Sequence, residues 1–210
     1  MNHHNSQYSA AITGCAFLYN EFVRILPLLM AENSEELLKD EIENNRLFLV
    51  NSRKARMTFR NEFVRRYNAV PASFWVAFQS MSEQAQRAGL LYAILKAYKL
   101  IFDFHFNVTI KHWNSIEQTI NKNDIMMEFS EIASRDEFVD SWTENTKSRC
   151  ASHYLTILRH AGLLDADNHL QPLRLDTSNY EYYIRHGEEW FLDACLLYPY
   201  EINDIKAKLQ

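Results

Sequence analysis

Residues 142–164, WTENTKSRCASHYLTILRHAGLL, decide how this chain is read. Thr143 is a short hydroxyl side chain suited to an N-cap, and Glu144 follows in the first turn, where the helix dipole favours an anion. Tyr154 or Ile157, with Leu155 and Leu158, supplies an apolar stripe. Gly162 stands where a left-handed C-cap belongs. Leu163–Leu164, the turn Asp165–Asn168 and His169–Leu175 then read as a short two-stranded hairpin. A capped helix followed by a hairpin is the pattern of a recognition helix and its wing. Asn145, Thr146, Lys147 and Arg149 crowd the start of the helix, where recognition helices present side chains to base edges.

The rest of the chain is compatible with an all-helical protein. It has 210 residues, 47% hydrophobic and 13% aromatic, enough for a substantial core. Glycine and proline number four each, which disfavours β-rich architecture and long loops. Helical spacing covers Thr13–Met30, with Pro27 expected to kink or end it. A helix capped at Asn33 or Ser34 runs to about Asn44, and one capped at Asn51 or Ser52 runs to about Tyr67. Further helices follow from Pro71, from Ser82 and from Asp124. Gly89–Ile110 looks hydrophobic enough to span a membrane, but it carries Lys96, Lys99, Asp103 and His105. Each central charge costs roughly 2.5–3.5 kcal/mol in a bilayer, so it reads as a buried central helix over residues 82–110. The expected organisation is an N-terminal helical domain, 1–125, and a C-terminal winged-helix-like domain, 126–210, with a short β-hairpin.

The formal charge is −5, so any nucleic-acid site must be local. One local excess stands out. Between Arg46 and Arg66 lie seven basic residues (Arg46, Arg53, Lys54, Arg56, Arg60, Arg65, Arg66) and a single acid, Glu62. On a helix begun at Ser52, Arg53, Arg56 and Arg60 fall at i, i+3 and i+7. With the acidic helix Ser34–Asn44 before it, this forms a helix–turn–basic helix over residues 34–67. A plain alternative is a solvated face paired with the acidic helix.

Catalytic motifs are missing. The four glycines are scattered, which excludes a Gly-rich phosphate loop, and neither GxSxG nor HExxH occurs. Cys15, Cys150 and Cys195 form no CxxC pair, so a disulfide framework is not indicated and a reduced, cytoplasmic setting is expected. His153 and His160 are seven residues apart, His3 and His4 sit in the N-terminal tail, and neither pair completes a metal set. Asp165-x-Asp167-x-His169 lacks the glycine and glutamate of a calcium loop. The opening MNHHNSQYS has no secretory pattern. No cofactor is expected.

The order of these landmarks resembles a known family. Tyr8-Ser9, Thr13-Gly14, the acidic helix ending at Glu43-Asn44, Asn51-Ser52 and Thr58 leading into the arginine-rich helix, and Trp142, Thr146, Leu158 and Ala161-Gly162-Leu163-Leu164 are similar to the small A component of BREX (bacteriophage exclusion) defence systems. The resemblance covers roughly residues 8–175. It implies a cytoplasmic, all-helical, non-enzymatic accessory protein that binds double-stranded DNA. Its implied partners are the DNA methyltransferase, the large ATPase and the phosphatase-like protein of the same island. The expected grip comes from Arg53, Lys54, Arg56 and Arg60 on phosphates. Asn145, Thr146, Lys147 and Arg149 are expected in or beside the major groove. An adaptor that docks its basic helix on an acidic partner, and an RNA-binding helical protein, are the alternatives.

Overall fold

A computed structural model describes residues 6–209, and among them the secondary structure is helical with no β-strand. The first element among the described residues is a 3-10 turn, Ala11–Gly14, and an extended stretch leads from it into Leu18. Helix α1 (Tyr19–Met30) is therefore shorter at its N-terminus than the periodicity predicts, and Pro27 lies inside it, within its last turn. Helices α2 (Ser34–Asn44), α3 (Arg53–Asn68) and α4 (Ala72–Gln79) follow. Ser52 caps α3 by accepting from the Ala55 amide at 3.3 Å.

The expected central helix is divided. Helix α5 (Glu83–Ala97) ends at Tyr98, whose backbone is extended, and α6 (Lys99–Phe104) restarts the helix. A π-helical turn, His105–Thr109, and α7 (Ile110–Trp113) complete the run. Residues Leu90–Leu95 are fully buried or nearly so, a helix apolar all round because protein covers every side. No helix among the described residues is long and apolar enough to cross a membrane.

Next come α8 (Lys122–Ala133), the one-turn α9 (Glu137–Asp140) and α10 (Glu144–Ala161). The C-terminal part holds α11 (Glu181–Arg185), α12 (Trp190–Ala194) and α13 (Pro199–Leu209). One apolar cluster runs from Ile12 to Leu197 and includes Trp75, Tyr92, Phe104, Tyr154 and Phe191. Helix α10 packs on α8, α5 and the Ala11–Gly14 turn.

The expected hairpin is reduced to isolated antiparallel bridges, Leu164 with Leu170 and Thr119 with His169. Segment 168–171 is bonded on both sides. The Gln171 amide donates to the Leu163 carbonyl at 2.9 Å, and the Leu170 amide to that of Gln118 at 2.8 Å. Asp165 shapes the turn by accepting from the amides of Asp167 and His169, each at 2.9 Å. The His169 amide bond, first among the causes, holds its carboxyl below the usual value.

Candidate nucleic-acid interface

Helix α3 carries the densest positive charge in the sequence, and the fold uses most of it internally. Arg66 is fully buried. Its guanidinium donates to the carbonyls of Cys15 at 2.6 Å and Phe17 at 2.8 Å, and also to that of Ala16. It thereby clamps the extended segment before α1. Arg56, expected on an open phosphate-facing row, is also buried. It donates to the Ile42 carbonyl at 2.6 Å and to those of Val50 and Asn51 at 2.7 and 3.0 Å. Five donors in a planar fork suit a guanidinium to this work, since clustered carbonyls outside a helical ladder otherwise lack partners.

The outer residues of α3 are mostly paired. Arg53 bonds Glu43 on α2 at 3.1 Å, and this bond holds the Glu43 carboxyl below its ordinary value. Arg46, in the connection before α3, pairs with Asp40. Arg65 lies 3.7 Å from Glu62 and over the Tyr98 ring. Arg60 is half-buried and donates to the Asn61 side chain at 3.2 Å. Lys54 is exposed, with no side-chain partner among the described residues. Arg53, Arg56 and Arg60 thus share a spacing without sharing an environment.

Helix α10 is built as its sequence predicts at both ends. Thr143 accepts from the Thr146 amide at 3.2 Å, and the two hydroxyls lie 2.9 Å apart. Gly162 adopts φ +91°. The Leu163 amide reaches back to the Leu158 carbonyl at 2.8 Å, and that of Gly162 to Arg159 at 3.1 Å, closing a Schellman motif. The placement of the four predicted residues is uneven. Asn145 and Arg149 are exposed, while Thr146 is half-buried in the cap. Lys147 turns inward, is buried, and lies 3.4 Å from Glu144 and 3.5 Å from the Asp140 carbonyl.

The solvent-facing stripe of α10 extends further than its N-terminus. At 100° per residue, Asn145, Ser148, Arg149, Ser152, Thr156 and Arg159 share one face, and each is exposed or half-buried. No carboxylate lies among them. Arg149 donates to the Thr13 carbonyl at 3.1 Å, and Arg159 to the Asn168 side chain in the bridged turn at 2.6 Å. Lys122, at the start of α8, donates to the Ser148 hydroxyl at 2.6 Å. Sequence inspection passed over Lys122, Ser148, Ser152, Thr156 and Arg159, because a winged-helix template directs attention to the first turn. The signal in the sequence is three hydroxyl residues at four-residue spacing, Ser148, Ser152 and Thr156, with Arg149 and Arg159 on the same face.

Other chemistry-bearing side chains serve packing. All three cysteines are free and buried, with thiols pushed up by burial, Cys15 to about 11 and Cys150 to about 12. His105 is fully buried between the Ala194 carbonyl, 2.8 Å from Nε2, and the Tyr154 hydroxyl, 3.1 Å from Nδ1. The carbonyl requires Nε2–H, so Nδ1 accepts from Tyr154. No group of His, Cys, Asp and Glu able to hold a metal occurs among the described residues, and His3 and His4 lie outside them.

The fold is shared with a solved structure. The crystal structure of an uncharacterized protein from Magnetospirillum magneticum superposes with a TM-score of 0.76 over 90% of this chain and 98% of that one, at 20% identity. No curated protein matches. Among protein families, BrxA matches residues 6–187, most of the chain and beyond both ends of the landmarks at Tyr8 and Leu164. The chain belongs to the BrxA family and has a role associated with BREX.

Proposed function

We propose that this chain is a non-enzymatic, cytoplasmic DNA-binding accessory protein of a BREX phage-defence system, and that α10 is its duplex-facing helix. The observation that carries this reading is the α10 stripe itself: Arg149 and Arg159 with Ser152 and Thr156 between them, and no carboxylate. Arg149 and Arg159 are ten residues apart, about 15 Å along a helix axis. The major groove is about 12 Å wide. Cations at that separation meet phosphates on either side of the groove while Ser152 and Thr156 face the bases. Lys122 supplies a third cation beside Ser148.

The chain order also fits a winged helix. A bridging segment at 118–120, α8, α9 and α10 are followed by the bridged turn, whose returning segment is bonded to both 118–120 and 163–165. In this reading Asp165–Asn168 is the wing tip, and residues 126–210 belong to a C-terminal module sharing one core with residues 1–125. Lys54 and Arg60 remain phosphate candidates on α3. Arg53 becomes available only by leaving Glu43, and Arg56 and Lys147 serve the fold. Partners in the same system, a methyltransferase, an ATPase and a phosphatase-like protein, remain open to the rest of the surface.

Titrating duplex DNA at about 50 and 200 mM salt tests the reading. Several phosphate contacts predict orders of magnitude weaker binding at the higher salt. Salt-independent affinity, or none, would remove it. A second reading, a protein adaptor, draws on Leu49, which is 62% exposed with φ +55° at the corner between α2 and α3. Co-purification of a system component that survives loss of DNA binding would favour it.

A further inference from the structure

The middle of the α10 stripe has a defined hydrogen-bonding polarity. Ser152 Oγ–H donates to the Ser148 carbonyl at 3.0 Å, and Thr156 Oγ1–H donates to the Ser152 carbonyl at 3.0 Å. Both hydroxyl protons are committed to the helix backbone one turn back. What remains on the two side chains is oxygen lone pairs and, at half-buried Thr156, a methyl group. Ser148 differs, since its oxygen accepts from Lys122 and its own proton is not committed.

Base edges in the major groove respond to that polarity differently. Guanine presents two acceptors, N7 and O6, which oppose a lone pair. Adenine N6 and cytosine N4 present donors, and thymine adds a C5 methyl. A·T is the one pair that offers a donor together with a methyl. From this we infer that Ser152 and Thr156 are specificity-determining residues that favour A·T pairs opposite the centre of α10, with Thr156 recognising the thymine methyl. The inference rests on α10 facing a duplex, and it adds a base preference to a grip otherwise blind to sequence.

Fluorescence anisotropy with the full chain tests it on duplexes identical except at a central tract of A·T, A·U, G·C or G·5-methylcytosine pairs. Replacing thymine by uracil weakens binding about fourfold, the effect of one buried methyl-sized group, and 5-methylcytosine binds more tightly than cytosine. Thr156→Val retains the thymine-over-uracil ratio and Thr156→Ser loses it, with thermal melts confirming that both fold. Steeply salt-dependent binding with equal affinity for thymine and uracil in the wild-type chain would overturn the base preference and leave duplex binding standing. No salt-dependent binding to any duplex overturns both.

Discussion

Helices α3 and α10 invert what their compositions lead one to expect. Between Arg46 and Arg66 basic residues outnumber acids seven to one, yet Arg56 and Arg66 point inward and Arg46, Arg53 and Arg65 stand beside carboxylates. Helix α10 carries two exposed arginines along one side, Arg149 and Arg159, and they meet a carbonyl and an amide oxygen. The lesson is that charge count measures supply, whereas the partners of each head decide use. A guanidinium ringed by carbonyls is part of the fold's hydrogen bonding. One held by a single neutral acceptor at the surface can exchange it for a phosphate at little cost.

The contrast is broken most forcefully at Arg66. Truncation to Ala leaves three carbonyls without their donor in a site closed to water. Removing one member of a buried polar set costs about 3–5 kcal/mol. Arg66→Lys rescues little, because an ammonium cannot reproduce the planar fork. Urea unfolding measures both, and a loss below about 1 kcal/mol in Arg66→Ala would show that the clamp is dispensable.

The buried side of α10 gives a pH-dependent counterpart. Burial lowers the His105 pKa to about 4, from an ordinary 6.5. Between these values the unfolded chain takes up a proton that the folded chain refuses, so stability falls as pH drops from about 6.5 to about 4. The contribution at stake is on the order of 3 kcal/mol. Above pH 6.5 it is fully present. His105→Gln flattens this window in unfolding curves taken across it, whereas a parallel decline in wild type and variant would assign the effect to other groups.

On the outer side, Arg149→Glu with Arg159→Glu removes two charge-assisted contacts worth roughly 1.5 kcal/mol or more each. Duplex affinity falls about a hundredfold or further, and the log–log salt slope becomes shallower by about 2. The melting temperature stays near wild type, since neither head is buried. Unchanged binding would return the interface to α3.

How legible this contrast was in the sequence depends on the range of the interactions. Thr143 and Gly162 were readable because capping is local: a hydroxyl meets an amide three residues on, and a left-handed residue ends the helix. Arg56 and Arg66 were not, because their partners at Ile42 and Cys15–Phe17 belong to other segments that spacing along α3 cannot reveal. The break at Tyr98 carries no glycine or proline to announce it, so 82–110 reads as one helix. Lys147 misleads for a related reason. At 100° per residue position 147 already lies 200° from Asn145, on the opposite side of α10; what the first-turn position does not announce is that packing against α8 and the Asp140 carbonyl buries that side. The family resemblance survived these errors because it rests on the order of local landmarks.

At Gly162 the effect is smaller and confined to the C-terminal end of α10. An alanine there adopts φ +91° at a cost of about 1–2 kcal/mol, and its Cβ would stand 3.2 Å from Leu173 Cδ2. The turn bearing Asn168 would shift with it, so Gly162→Ala lowers the melting temperature and weakens duplex binding together. Lower stability with full affinity would show that the bridged turn takes no part in binding.

The smallest effect belongs to Arg53, and it sharpens the contrast by being small. Arg53 is exposed and its partner Glu43 equally so. Water screens the pair, and holding two long side chains in register offsets much of their attraction. Arg53→Glu therefore leaves the melting temperature close to wild type. If α10 supplies the grip, it also leaves duplex affinity and salt slope nearly unchanged, although it reverses a charge in the most basic stretch of the chain. A salt slope reduced as far as in the Arg149→Glu, Arg159→Glu variant would mean that Arg53 leaves Glu43 for a phosphate on binding, and α3 would then stand beside α10 as a second contact with the duplex.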